Sequence, residues 1–177
     1  QVLIGVGLGL LAGFYGGKVD FVISFFVNCM MGFPFILLAM SLIAVLGPSL
    51  QNIIIALGVT GWPVFTRVTR VETLRLRDRE FVLAAISLAF SAPRILIRHI
   101  LPNLLPSILV LGTVEVARAI IQESLLSFLG LGIQPPTPSW GVMLAEGRNY
   151  MLMQWWLATF PGFAIFLSAL GINLLGD

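Results

Sequence analysis

Residues 21–46 read FVISFFVNCMMGFPFILLAMSLIAVL, an apolar run without one charged side chain, closed by Gly47 and Pro48. A helix needs roughly 17 to 25 mostly apolar residues to cross hydrocarbon, so this stretch is long enough to span a membrane. Similar runs recur on both sides. Residues 1–14 (QVLIGVGLGLLAGF) read as the end of a span whose start lies upstream. Residues 51–66 are shorter and carry Gly58, Gly61 and Pro63, where a kink is expected because proline lacks a backbone donor. Residues 103–128 and 154–175 complete the set. The expected fold class is all-α, a polytopic membrane helical bundle with about five transmembrane helices. The chain opens at Gln1 inside one apolar stretch and stops at Asp177 directly after another, so it reads as a fragment, with an N-terminal span and a C-terminal tail missing.

Composition agrees. The apolar share is 58%, the charged share only 10% and the mean hydropathy +1.02, whereas a soluble domain has about a quarter of its residues charged. The net charge of +2 and the pI of 9.2 reflect a small surplus of arginines over few acids and give no argument for nucleic acid. Cys29 is the only cysteine, which excludes an intrachain disulfide and a cysteine-based metal cluster. The opening has neither a cationic region nor a cleavage site, which argues against a signal peptide.

Seven of the ten basic residues, Arg67, Arg70, Arg75, Arg77, Arg79, Arg94 and Arg98, fall between positions 67 and 99, against Glu72, Asp78 and Glu80. By the positive-inside rule this segment is expected in the cytoplasm. Alternation then places the loop near Lys18 inside, Gly47 to Leu50 outside, residues 129–153 outside and Asp177 inside. Trp140, Tyr150, Trp155 and Trp156 suit a membrane interface on the outer side, as anchors or as part of a binding surface.

A loop of this length is long for a connector and should carry structure of its own. LRLRDREFVLAAISLA, residues 74–89, predicts a helix with charges at its start and an apolar second half. Ser91 is positioned to cap a second short helix with Pro93 in its first turn, and Pro102 begins the next span. Ala84 and Ala85 form a small-residue patch at the tip. Small side chains let another backbone approach closely, which suits a knob that docks on a partner; the same string also suits an amphipathic helix lying on anionic lipid.

Inside the 103–128 run lie Glu115, Arg118, Gln122 and Glu123. A charge at the centre of a membrane helix costs about 2.5 to 3.5 kcal/mol on insertion scales, so these groups must face protein or water. Glu115 and Arg118, three apart, can neutralise each other in part. They either line a path for a polar solute or form a structural pair. Gly5, Gly7, Gly9 and Gly13, with Ala12, suit close helix packing in a membrane. No Lys-Ser or Lys-Thr follows them, so they form no phosphate loop, and no Walker sequence exists in the chain. His99 is the sole histidine and suits a helix end. No histidine pair, nucleophile elbow or intramembrane aspartate pair marks an enzyme, and no cofactor or metal is implied.

Residues 83–102, LAAISLAFSAPRILIRHILP, resemble the EAA loop of binding-protein-dependent ABC importer permeases, whose pattern is Glu-Ala-Ala, three residues, Gly, nine residues, Ile, one residue, Leu-Pro. Ala84, Ala85, Leu101 and Pro102 match; Leu83 stands for the Glu, Ala89 for the Gly and His99 for the Ile. SLLSFLGLGIQPPTPSWGVMLAEGRNYM (124–151), with WLATFPGFAIFLSALGINLLGD after it and GWPVFTRVTRVETLRLRDREFVLAA before it, looks like the C-type permease subunit of dipeptide, oligopeptide and nickel importers; the FLGLGIQPPTPSWG string distinguishes that subunit from its B-type partner.

The resemblance implies a type I ABC importer permease fold over residues 1–177, with residues 67–102 as the coupling loop seated in a groove of a cytoplasmic ATPase. It implies coupling roles for Leu83, Ala84, Ala85, Ala89, Pro93, His99, Leu101 and Pro102. Implied partners are a second, B-type permease, two ABC ATPase subunits and an external or periplasmic solute-binding protein. The implied cargo is a peptide or a small solute such as nickel, and the implied location is a bacterial or archaeal cytoplasmic membrane. The competing reading from the residues is an autonomous secondary transporter or channel, with the Gly61–Pro63 break and the Glu115–Arg118 pair as its site.

Overall fold

The structure is a computed structural model that describes residues 1–134 and 136–176. Pro135, within the FLGLGIQPPTPSWG string, and Asp177, expected inside, lie outside the described residues. Every element among the described residues is helical: α1 (Val2–Tyr15), α2 (Gly17–Gly32), α3 (Phe35–Leu46), α4 (Leu50–Arg77), α5 (Glu80–Ser87), α6 (Ala92–Ile95), a π-helical turn (Leu96–Ile100), α7 (Leu101–Phe128), α8 (Trp140–Arg148) and α9 (Trp156–Gly176). Two stretches, Ala92–Phe128 and Trp156–Gly176, are long and apolar enough to cross a membrane; α2 and α3 add a third if they are one broken span.

Several boundaries differ from the sequence reading. The 21–46 run is two helices, because Pro34 at the head of α3 holds Phe33 extended. The 51–66 run is the first part of a longer helix that passes through Pro63 and on to Arg77, beyond the expected edge of the arginine-rich loop. The helix expected over 74–89 breaks at Asp78 and Arg79. The second short helix does not end before Pro102: α6, the π turn and α7 follow one another without a gap.

The helices gather into two compact units. The first holds residues 1–33 and 60–111. In it α1 packs closely against α4. Gly5, Gly9 and Gly13 lie four apart on one face of α1, and a Cβ added to them would sit 2.6, 2.8 and 2.8 Å from the carbonyl oxygens of Trp62, Thr66 and Arg70. Those separations are below van der Waals contact, so the two backbones meet where only glycine fits. Ala12 is fully buried, whereas Gly7 faces open space, so the expected glycine packing holds for three of the four. Thr66, Thr69 and Thr73 are buried on α4. Val6, Leu10, Val82, Ala85, Ile95, Leu96, Ile100, Leu104 and Ile108 form the unit's apolar core.

The second unit holds residues 34–59 and 112–176 among those described. Ala39, Ile43, Ile53, Ala56 and Leu126 form its core. The Asn52 amide donates to the carbonyls of Leu46 and Gly47 at 2.8 and 2.9 Å, closing the turn between α3 and α4. Within the α8–α9 hairpin, a Cβ on Gly147 would lie 2.7 Å from the Leu157 backbone, a second crossing that requires glycine. On α9, Phe160, Phe163, Phe166 and Leu174 are exposed, an apolar exterior suited to lipid or a neighbouring subunit.

Candidate functional site

The arginine-rich segment folds into an elbow within the first unit. α4 ends in a turn closed by the Arg79 N–H donating to the Leu76 carbonyl at 3.0 Å, and α5 starts at Glu80. On α5, Val82 and Ala85 point into the core and are 0% and 3% exposed, while Leu83, Ala84, Ile86, Ser87 and Leu88 face outward. Spacing three apart puts Val82 and Ala85 on one helical face. The small-residue patch expected from Ala84 and Ala85 together is therefore corrected: Ala84 is on the surface, and Ala85 is the floor that seats α5 on Ile95 and its neighbours.

The end of α5 is the most informative backbone in the elbow. The Phe90 N–H donates to the Ala85 carbonyl at 3.2 Å and the Ala89 N–H to the Ile86 carbonyl at 2.9 Å, the two bonds of a Schellman cap. Its left-handed position falls on Ala89, with φ 57°, the one described non-glycine residue at positive φ. The same pair of bonds closes α7, from Leu131 to Leu126 and from Gly130 to Ser127, and there glycine occupies the position with φ 79°. The slot is a left-handed backbone position that favours glycine, and Ala89 fills it under strain of about 1–2 kcal/mol.

Beyond the cap, Phe90 stacks on His99, ring centroids 6.0 Å apart, and Arg94 places its guanidinium 4.2 Å from the same ring. Ser91 precedes α6 without a side-chain capping bond, and Pro93 is exposed in its first turn. His99 is half-buried in the π turn, and its carbonyl accepts from the Asn103 amide at 2.7 Å. Leu101 packs against the core, and Pro102 is exposed at the start of α7.

On the other side of the first unit, Arg70 grips Asp20 with two bonds, Nε to Oδ1 and, at 2.6 Å, Nη2 to Oδ2. Arg67 donates to the Asn28 side chain at 3.2 Å. Ser24, Val27, Asn28, Thr66, Arg67 and Arg70 line a cavity of about 290 Å³ beside these contacts.

In the second unit, Glu115 is 7% exposed and accepts from Arg118 Nη1 at 2.6 Å, the Arg118 side chain being about half exposed. Glu123 accepts from Ser127 Oγ at 2.6 Å and from Ser124 Oγ at 3.5 Å. Gln122 is half-buried. The four residues share α7, and Glu115 and Glu123 have separate partners.

Sequence reasoning missed the Asp20–Arg70 clamp, the Phe90 cluster and the left-handed Ala89. The first joins residues 50 positions apart and leaves no local pattern. The last was legible, since an alanine standing where a pattern carries glycine flags a backbone position of positive φ.

Comparison with known proteins bears on the whole chain. A family model described as "Binding-protein-dependent transport system inner membrane component" matches residues 5–177. The chain is 44% identical over 176 residues to the dipeptide transport system permease protein DppC of Alkalihalophilus pseudofirmus, covering 99% of this chain and 58% of the relative. It is 42% identical over 176 residues to the glutathione transport system permease protein GsiD of Pectobacterium atrosepticum, with the same coverage of 99% and 58%. It is 41% identical over 175 residues to the probable D,D-dipeptide transport system permease protein DdpC of Escherichia coli, covering 99% of this chain and 59% of the relative. The chain thus spans less than two thirds of the length of these relatives.

Proposed function

Because the chain belongs to the family of binding-protein-dependent transport system inner membrane components, we propose that this multi-pass membrane protein is the permease part of an ATP-driven importer that moves short peptides into the cell. The names of the relatives support peptides over nickel as cargo. In this reading ATP hydrolysis falls to separate ATPase subunits. A second, B-type permease and an external solute-binding protein complete the assembly, which sits in the cytoplasmic membrane with the arginine-rich elbow inside.

The observation that carries the coupling role is the seating of α5. Its inner residues Val82 and Ala85 share a core with Ile95, Leu96, Ile100 and Leu104, which belong to the continuous helical stretch leading into α7. A push on the outer face, Leu83, Ala84, Ile86 and Leu88, is transmitted through packed side chains rather than through a flexible linker. Pro93, His99, Leu101 and Pro102 act by setting the direction of that stretch. Glu115, Arg118, Gln122 and Glu123 are the polar groups offered to the translocation path.

Site-directed crosslinking tests this. Cys29 is exposed and is replaced by serine first; cysteines at Ala84 or Leu88 then crosslink to the ATPase subunits in the assembled complex. Labelling of the same positions only by lipid-borne reagents, never by an ATPase, overturns the coupling role.

A further inference from the structure

Glu123 is a carboxylate with no cation bonded to it among the described residues. It is half-buried near the end of α7, and its hydrogen-bond donors are the neutral hydroxyls of Ser127 and Ser124. None of the ion pairs among the described residues includes it. Arg148, the cation of α8, lies over the Phe128 ring at 5.5 Å from its centroid. In the first turn of α8, the Ser139 hydroxyl accepts from the Val142 N–H at 3.2 Å.

Glu123 lines a cavity of about 330 Å³ whose other walls are Pro138, Ser139, Trp140 and Met143. A carboxylate supplies charge and acceptors for an ammonium, an indole face attracts a cation, and proline and methionine supply apolar contact beside it. That volume falls at the small end of ligand pockets, large enough for one or two amino-acid residues.

We propose that this cavity binds a primary ammonium, the free amino terminus of a peptide cargo, with Glu123 as the anionic partner and Trp140 as the aromatic wall. The proposal rests on the peptide-importer reading for the identity of the ligand, and on the cavity alone for its chemistry.

The test is calorimetric binding to the full-length permease complex in nanodiscs of phosphatidylcholine, a lipid without a primary ammonium. Dialanine and N-acetyl-dialanine are the probes. Dialanine is expected to bind about tenfold more tightly, the scale of one charge-assisted hydrogen bond. Glu123→Gln, which keeps an acceptor for Ser127, erases the preference, and Trp140→Leu, at an exposed position, weakens dialanine alone. Equal binding of the two probes by the wild type overturns the proposal, as does a preference that survives Glu123→Gln. Uptake is scored separately: if ATP drives no peptide uptake while the Glu123-dependent preference is present, the importer reading fails and the cavity stands. If ATP drives peptide uptake in a wild type that binds both probes equally, the importer reading stands and the cavity proposal fails.

Discussion

Arg70 holds both carboxylate oxygens of Asp20, fastening the first turn of α2 to α4 across 50 residues of sequence. Both side chains are partly exposed, at 31% and 21%, so the pair is worth about 1 kcal/mol rather than the larger value of a dry ion pair. Asp20→Asn and Arg70→Gln are each expected to lower the thermal midpoint. The double variant should be less destabilised than the sum of the two, with a coupling of about 1 kcal/mol in a double-mutant cycle. Strict additivity would mean the clamp contributes nothing in the membrane.

The α1–α4 crossing offers a control within one helix. At Gly9 a Cβ would lie 2.6 Å from Thr69 Cβ and 2.8 Å from the Thr66 carbonyl, whereas at Gly7 it meets nothing within 4 Å. Gly9→Val should therefore separate the helices, at about 1–3 kcal/mol or with loss of the folded unit. Gly7→Val, two residues away, should leave the midpoint nearly unchanged. Equal effects of the two would show that α1 packs by a different face.

Ala89 and Gly130 occupy the same slot in two Schellman caps, at φ 57° and 79°. Ala89→Gly removes the Cβ clash and is expected to stabilise the elbow by about 1 kcal/mol, while Ala89→Val destabilises it. Hydrogen exchange at the Phe90 amide, which closes the cap, reports the change locally. Faster exchange in the glycine variant would mean that the cap opens for reasons other than Ala89.

The elbow also shows where the sequence was legible and where it stopped. Apolar runs bounded by charge named the helical class and located the loop, because hydrophobic length is a local property. The spacing of Val82 and Ala85 was equally visible, yet which face of α5 turns inward depends on Ile95, Leu96 and Ile100, contributed by a later segment. The same limit applies to the glycines of α1: their period marked a packing face, but Gly7 could not be told from Gly5 and Gly9 before α4 was in place. Pro34 was the clear local signal read past, since a proline bends a run that hydropathy alone joins.

Because Ala84 faces out and Ala85 faces in, tryptophan at the two positions should fail in different ways. Ala84→Trp is expected to leave the thermal midpoint within about two degrees while ATP-driven uptake falls at least about tenfold, the outcome that the proposed docking face requires. Ala85→Trp forces a large ring into a filled core and should lower the midpoint as well as uptake, at about 1–3 kcal/mol or more. Unfolding followed by fluorescence beside uptake by the assembled importer separates the two; an unperturbed Ala84→Trp transporter would remove that residue from the proposed coupling face.

Glu115 and Arg118 are bonded at 2.6 Å but unequally covered, the carboxylate 7% exposed and the arginine side chain 49%. Removing the buried member leaves a cation that is already half exposed and can turn toward solvent or a neighbouring subunit. Removing the exposed member leaves a buried carboxylate with no counter-charge among the described residues, the more damaging outcome. Arg118→Met is therefore expected to destabilise by about 3 kcal/mol and Glu115→Gln by about 1. If the pair is purely structural, Glu115→Gln transports every peptide at wild-type ratios. If the pair lines the path, the same substitution changes uptake of acidic relative to basic peptides, because it alters the net charge the cargo meets. Competition uptake with one acidic and one basic dipeptide decides between the two, and a lower midpoint for Glu115→Gln than for Arg118→Met would reverse the assignment of the buried partner.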